Sequence, residues 1–134
     1  MYRIAVLTDH EHEGENYAKI ITDYCIDQKL FPLLETYQDQ EAFFKKIQTN
    51  IPDVVLLVLP GVDGLNAAEH LRSLFPGCGI IWCSDLDFSL HAFRLRIEYF
   101  FLEPVGKYKI QEGLRAWFRS KKQSFKYQQF RRDI

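Results

Sequence analysis

Only three of the 134 residues are cysteine, Cys25, Cys78 and Cys83, and none stands in a CxxC pair. An odd number without metal-ligand spacing argues against a disulfide framework or a zinc site and predicts reduced thiols packed as small hydrophobes. Long apolar runs are also missing. The opening Met-Tyr-Arg-Ile-Ala-Val-Leu-Thr-Asp carries charges at Arg3 and Asp9, so it holds no signal-peptide core, and no later run approaches the length of a membrane span. A cytoplasmic protein without membrane association is the expectation. Gly61 and Gly64 lack GxGxxG or P-loop spacing, which removes the commonest phosphate-cradling loops. No repeat, low-complexity stretch or internal linker interrupts the chain before residue 120.

Net charge is scarce too, with 17 lysines and arginines against 18 aspartates and glutamates, but the cancellation is uneven. Residues 1–106 hold 8 basic against 16 acidic side chains, a balance of −8, and residues 107–134 hold 9 against 2, a balance of +7. The C-terminal fifth is thus a basic segment on an acidic body. It reads as a solvated basic helix, with nucleic acid or a membrane surface as the alternative partner.

What is present in quantity is apolar residue, 47% of the chain, enough for one ordinary domain core. Strand signals recur at 2–8, 30–37, 52–59, 79–84 and 98–102, and the third and fourth are nearly continuous apolar runs, as in strands buried on both faces. Helical spacing fills 12–28, 39–49, 63–75 and 87–96, with a fifth helix from about 107; Tyr17, Ile20, Ile21, Tyr24 and Cys25 illustrate it. Asp39 and Asp63 are predicted to cap helices, and Pro76-Gly77 to end one. Five alternations of strand and helix predict an α/β protein, a flavodoxin-like (βα)5 three-layer sandwich with a five-stranded parallel sheet. Ligands of such a sheet gather beyond the carboxyl ends of its strands, which directs attention to Thr8, Asp9 and His10, to Val58–Gly64, to Ser84 and Asp85, and to Glu103-Pro104.

At those positions Arg3-Ile-Ala-Val-Leu-Thr-Asp9, Pro60-Gly-Val-Asp-Gly-Leu65, Ile80-Ile-Trp-Cys-Ser84 and Tyr99-Phe-Phe-Leu-Glu-Pro-Val105 follow one another in the order of a response-regulator receiver domain. Residues 1–118 resemble that CheY-like family. The resemblance is nearest to receivers that precede LytTR-type DNA-binding domains, through the Arg-Ile-Ala opening, Tyr24-Cys25 and Leu102-Glu103-Pro104-Val105. It implies two-component signalling, a cis Glu103–Pro104 bond, and a site of two carboxylates after the first strand, a phosphoacceptor aspartate ending the third, a hydroxyl ending the fourth and a lysine ending the fifth. In that site the carboxylates hold magnesium, the aspartate attacks in line, and the lysine and hydroxyl bind the phosphoryl oxygens.

Matched position by position, little of that set remains. Thr8 replaces the first carboxylate; Asp9 keeps the second and Ser84 the hydroxyl. Val58, counting forward from Pro52-Asp53, or Leu56, counting back from Pro60-Gly61, takes the acceptor position, and neither can be phosphorylated. Glu103 replaces the lysine, an anion that repels a phosphoryl group. No catalytic residue and no cofactor is expected, with magnesium bound at most weakly through Asp9.

Asp53 falls at the amino end of the third strand and Asp63 in a helix start, so neither stands in for the acceptor. His10-Glu11-His12-Glu13 lacks an i, i+4 histidine pair and reads as a solvated loop, Asp85 and Asp87 read as helix caps, and His70 and His91 as structural. Three functions of different classes follow. The favoured one is a phosphorylation-independent interaction and dimerisation module of a transcription regulator. A receiver that senses a cation or small molecule in the altered crevice is the second, and an enzyme of this fold, for which no nucleophile, base and orienting partner assemble, is the third.

The predicted homodimer face is that of the fourth helix, fifth strand and fifth helix, with Arg94, Arg96, Glu98 and Phe100 at its centre and Phe93, Lys107 and Arg115 around it. Phe93 and Phe100 are read equally well as packing under the fourth helix. A sensor kinase or another protein is a further partner. Residues 1–120 make the domain, and 121–134 read as a basic tail or linker in which Phe125, Tyr127 and Gln129 alternate like a strand, the start of a DNA-binding domain if the chain is a fragment.

Overall fold

The computed structural model describes residues 2–132, with side chains throughout except at Glu11 and residues 122–132. The order is β1 (Arg3–Thr8), α1 (Glu11–Asp27), β2 (Leu33–Tyr37), α2 (Gln40–Lys46), β3 (Val54–Val58), α3 (Gly61–Leu74), β4 (Gly79–Ser84), α4 (Ser89–Arg94), β5 (Tyr99–Leu102) and α5 (Lys107–Arg132). The five strands form one parallel sheet in the order β2-β1-β3-β4-β5, so the predicted flavodoxin-like sandwich is the architecture found.

Val54-Val-Leu-Leu-Val58 and Gly79-Ile-Ile-Trp-Cys-Ser84 are buried at every position, because alternate side chains enter two different cores. Ile4, Val6, Val54, Leu56, Ile81 and Cys83 pack with Tyr17 and Ile21 of α1 and Ile110 and Leu114 of α5. On the other face Leu7, Val55, Leu57, Ile80 and Trp82 pack with Phe43 of α2, Leu71 of α3 and Ala92 of α4. Each fully buried Leu, Ile or Val contributes roughly 1.5–3 kcal/mol, and this two-sided burial holds the sheet central.

Several boundaries differ from the sequence reading for local reasons. Leu30 does not begin β2: its N–H donates to the Cys25 carbonyl at 2.8 Å in the turn that ends α1, where Lys29 has φ 61°, and the β2 ladder starts only when Leu33 N reaches Tyr2 O. Asp39 caps α2, accepting from Ala42 N at 3.1 Å, as predicted. Asp63 caps nothing, because α3 starts two residues earlier with Pro60 at its N-cap and leaves Asp63 in the first turn. The strand-like reading of Phe125–Gln129 is also corrected. The backbone of α5 stays helical to Arg132, and no proline or glycine follows Gly113 in that stretch to interrupt it. No described helix is long and apolar enough to cross a membrane.

A single arginine joins α3 to the chain around α4. Arg72 donates from Nε to Leu95 O at 2.8 Å, from Nη1 to Cys78 O at 2.6 Å and Pro76 O at 2.9 Å, and from Nη2 to Arg96 O at 3.1 Å. Its guanidinium also pairs with Glu98 at 3.5 Å, with side-chain exposures of only 10% and 18%. Glu98 Oε2 in turn accepts from Ile80 N at 2.6 Å. Burial pushes the Glu98 carboxyl above its ordinary range, and the Ile80 N–H and Arg72 pull the other way. Removing one partner of such a pair leaves a shielded charge uncompensated. Arg72→Ala is therefore expected to cost about 3 kcal/mol in urea unfolding, and adding Glu98→Gln to it to recover a measurable part of that loss. An unchanged midpoint in Arg72→Ala would remove this network from the stability of the fold.

Candidate functional site

The carboxyl edge is built by strand register. Thr8 pairs with Val58, Val58 with Cys83, and Ser84 with Leu102, so the ends of β1, β3, β4 and β5 lie side by side. Thr8 and Ser84 are buried and polar at 0% and 1% exposure; Val58, at 4%, is part of the core with Cys83 and Phe101. Of the two residues considered for the end of β3, Val58 stands at the edge. Leu56 lies two residues deeper, between Val6 and Ile81. Asp53 is at the opposite end, where its carboxylate accepts from Arg3 N at 2.7 Å.

The polar groups of the edge are largely occupied with one another. Thr8 Oγ1 accepts from His10 N at 3.4 Å, and Asp9, exposed, pairs with His10 Nε2 at 3.3 Å. Ser84 Oγ accepts from Leu86 N at 3.2 Å and donates to Asp85 Oδ1 at 3.3 Å. The same Asp85 oxygen accepts from Gly61 N at 2.7 Å, at a residue with φ 57°. Asp85 therefore does act as a cap, but for α3 rather than for the helix that follows it. The link ties the loop after β3 to the loop after β4. Asp87 makes a local turn, accepting from Ser89 N at 2.9 Å.

Beside these loops an open pocket of about 580 Å³ is lined by His10, Glu13, Tyr17, Glu103, Pro104 and Val105. Burial, and then Glu13, raise the Tyr17 hydroxyl above its ordinary range, so it remains a neutral donor. Glu103 is exposed at the rim, and its bond to Pro104 is cis. Among the described residues the lining offers carboxylates and no lysine or arginine, an environment that disfavours a phosphoryl group. Among the described residues no three His, Cys, Asp or Glu side chains converge closely enough to hold a metal ion. Sequence reading did not find Tyr17 as a wall of this pocket, since its spacing marked it as core, nor the Asp85–Gly61 link, which spans 24 residues.

The predicted interface residues separate. Arg94 and Arg96 are exposed, Arg96 at φ 55°. Glu98 is held within the fold by Arg72 at 3.5 Å and by Ile80 N at 2.6 Å. Phe100 packs against the core, edge-on to Trp82 at 4.9 Å. Phe93 does not pack under α4; it is 81% exposed, with Leu90 at 58%.

No protein-family model matches the chain, and no curated protein matches it by sequence. Solved structures do match by fold. A CheY-like response regulator receiver domain protein from Methanospirillum hungatei JF-1 superposes with a TM-score of 0.74 at 16% identity, over 92% of this chain and 98% of that one. This protein has the receiver fold. A LuxR-family two-component response regulator from Aurantimonas sp. SI85-9A1 gives a TM-score of 0.69 at 20% identity, over 87% and 84% of the two chains. The isolated REC domain of RcsB from Salmonella enterica serovar Typhimurium, solved with the phosphomimetic BeF3−, gives 0.68 at 14% identity, over 88% of each.

Within this receiver fold the thiols are shielded. Burial pushes Cys83 up to about 12, with Glu103 and Asp85 adding to it, and burial pushes Cys78 up to about 12 as well, against Arg72. A folded-state value above the ordinary 9.0 stabilises the fold below pH 9, where both states are protonated. That contribution is lost as pH rises from 9 towards 12, because the unfolded chain releases these protons first. The urea midpoint is expected to fall progressively above about pH 9 and to fall less in Cys83→Ala. Equal decline in both proteins would assign the alkaline loss elsewhere.

Proposed function

We propose that this protein is a response-regulator receiver module that signals by contact with protein partners, without aspartyl phosphorylation. The supporting observation is the end of β3: Val58, fitted into the core between Thr8 and Cys83, stands where a phosphoacceptor carboxylate is needed. Three further features agree with it. Asp9 is the one carboxylate retained after β1, Glu103 brings negative charge in place of a lysine, and the Ser84 hydroxyl is already bonded to Leu86 N and Asp85. Incubation with acetyl phosphate and magnesium, followed by intact-mass measurement, is expected to show no gain of a phosphoryl group. A phosphoaspartate mapped to Asp9, Asp53, Asp63 or Asp85 would overturn the proposal.

The contact surface we favour is the face of α4, β5 and α5, used for self-association and for docking other proteins, a sensor kinase among them. It combines the exposed Leu90 and Phe93 with the exposed Arg94 and Arg96, an apolar centre beside cations, while Phe100 supports it from beneath. A setting in transcription regulation rests on the sequence resemblance to LytTR-associated receivers and on the fold likeness to a LuxR-family regulator, with DNA reached only through a further domain. Sedimentation of the unmodified chain at tens of micromolar is expected to show a dimer, and Phe93→Glu with Arg94→Glu to shift it to monomer with an unchanged circular dichroism spectrum. A dimer that survives those reversals uses another surface.

A further inference from the structure

At the end of the sheet opposite the crevice, a cleft of about 380 Å³ opens between the last turns of α1, the turn at Leu30 and the middle of α5. Its size is within the range of small-molecule sites. Its lining differs from that of the crevice pocket: aromatic rings and guanidinium groups, with no carboxylate among the described residues. Tyr2 and Phe118 meet edge to face at 5.6 Å, and Tyr24 and Phe118 stand 6.5 Å apart and 33° from parallel, at the wide end of ordinary aromatic pairing. Three of the lining residues, Tyr2, Tyr24 and Phe118, are thus aromatic.

Arg115 and Arg119, four residues apart on α5, line the same cleft and are both exposed. Glu112 balances Arg115, whereas Arg119 has no ion pair among the described residues. Across the cleft Gln28 adds an amide that can both donate and accept. Planar guanidinium beside aromatic faces suits a ligand that is itself flat and negatively charged, since the ring stacks while the anion takes charge-assisted hydrogen bonds. The position also matters, because an occupant would touch α1 and α5 together.

We propose that this cleft binds a small aromatic anion, an aromatic carboxylate or a nucleoside monophosphate, with Tyr2, Tyr24 and Phe118 holding the ring and Arg119 the charge. The test is NMR titration of isotopically labelled protein with 4-hydroxybenzoate and with adenosine 5′-monophosphate, against adenosine and inorganic phosphate as controls. One of the two aromatic anions is expected to shift the ring signals of Tyr2, Tyr24 and Phe118 saturably, with a dissociation constant of about 1 mM or tighter. The anion that does so identifies the ligand class. Arg119→Glu is expected to weaken it at least about tenfold, as loss of a charge-assisted contact should, whereas Lys107→Glu, an exposed cation outside the cleft, leaves it unchanged. No saturable shift at these rings, equally tight binding of inorganic phosphate or adenosine alone, or equal loss in Lys107→Glu would each overturn the proposal.

Discussion

Burial of β3 and β4 on both faces is the constraint from which the rest of the structure follows. A strand buried at every position has to be covered from above and below, which places α1 and α5 on one side and α2, α3 and α4 on the other. Charged side chains are then excluded from β3 and β4. At the end of β3 the core continues straight through Val58 to the edge.

Because the strand ends supply little charge of positive sign, the loops beyond them satisfy each other. The Asp85 carboxylate takes the first N–H of α3, favourable both as a hydrogen bond and as a negative charge at a helix N-terminus, and Ser84 is drawn into the same group. The crevice that remains is lined by Glu13 and Glu103, while cations accumulate at the other end of the sheet on α5. The uneven charge along the chain thus becomes a separation in space between an acidic edge and a basic helix.

Arg72 shows how the fold redistributes residues that look available. Its guanidinium satisfies four carbonyl groups in the stretch from Pro76 to Arg96 and neutralises Glu98 where water is largely excluded. Glu98 is thereby removed from the surface, and the α4 side of the molecule is left with Leu90, Phe93 and arginines facing solvent. A face of that composition is suited to contact through apolar area with a cationic rim rather than through paired charges.

The sequence alone determined the alternation of strands and helices, the parallel sheet and the absence of a carboxylate from the end of β3, because each depends on local period or on the identity of one residue. It determined the Asp39 cap for the same reason, and it missed the start of α3 because Pro60 caps that helix without a side-chain bond of its own. The helical course of α5 past residue 124 was hidden by Phe125 and Tyr127, whose spacing suits a strand as well as a helix when so few residues are available. Only the tertiary structure decided the fates of Glu98, Phe93 and Asp85. Their partners, or the lack of them, lie 18 to 26 residues away in the chain, at Ile80, Arg72 and Gly61, and no local pattern carries a contact made across the sheet.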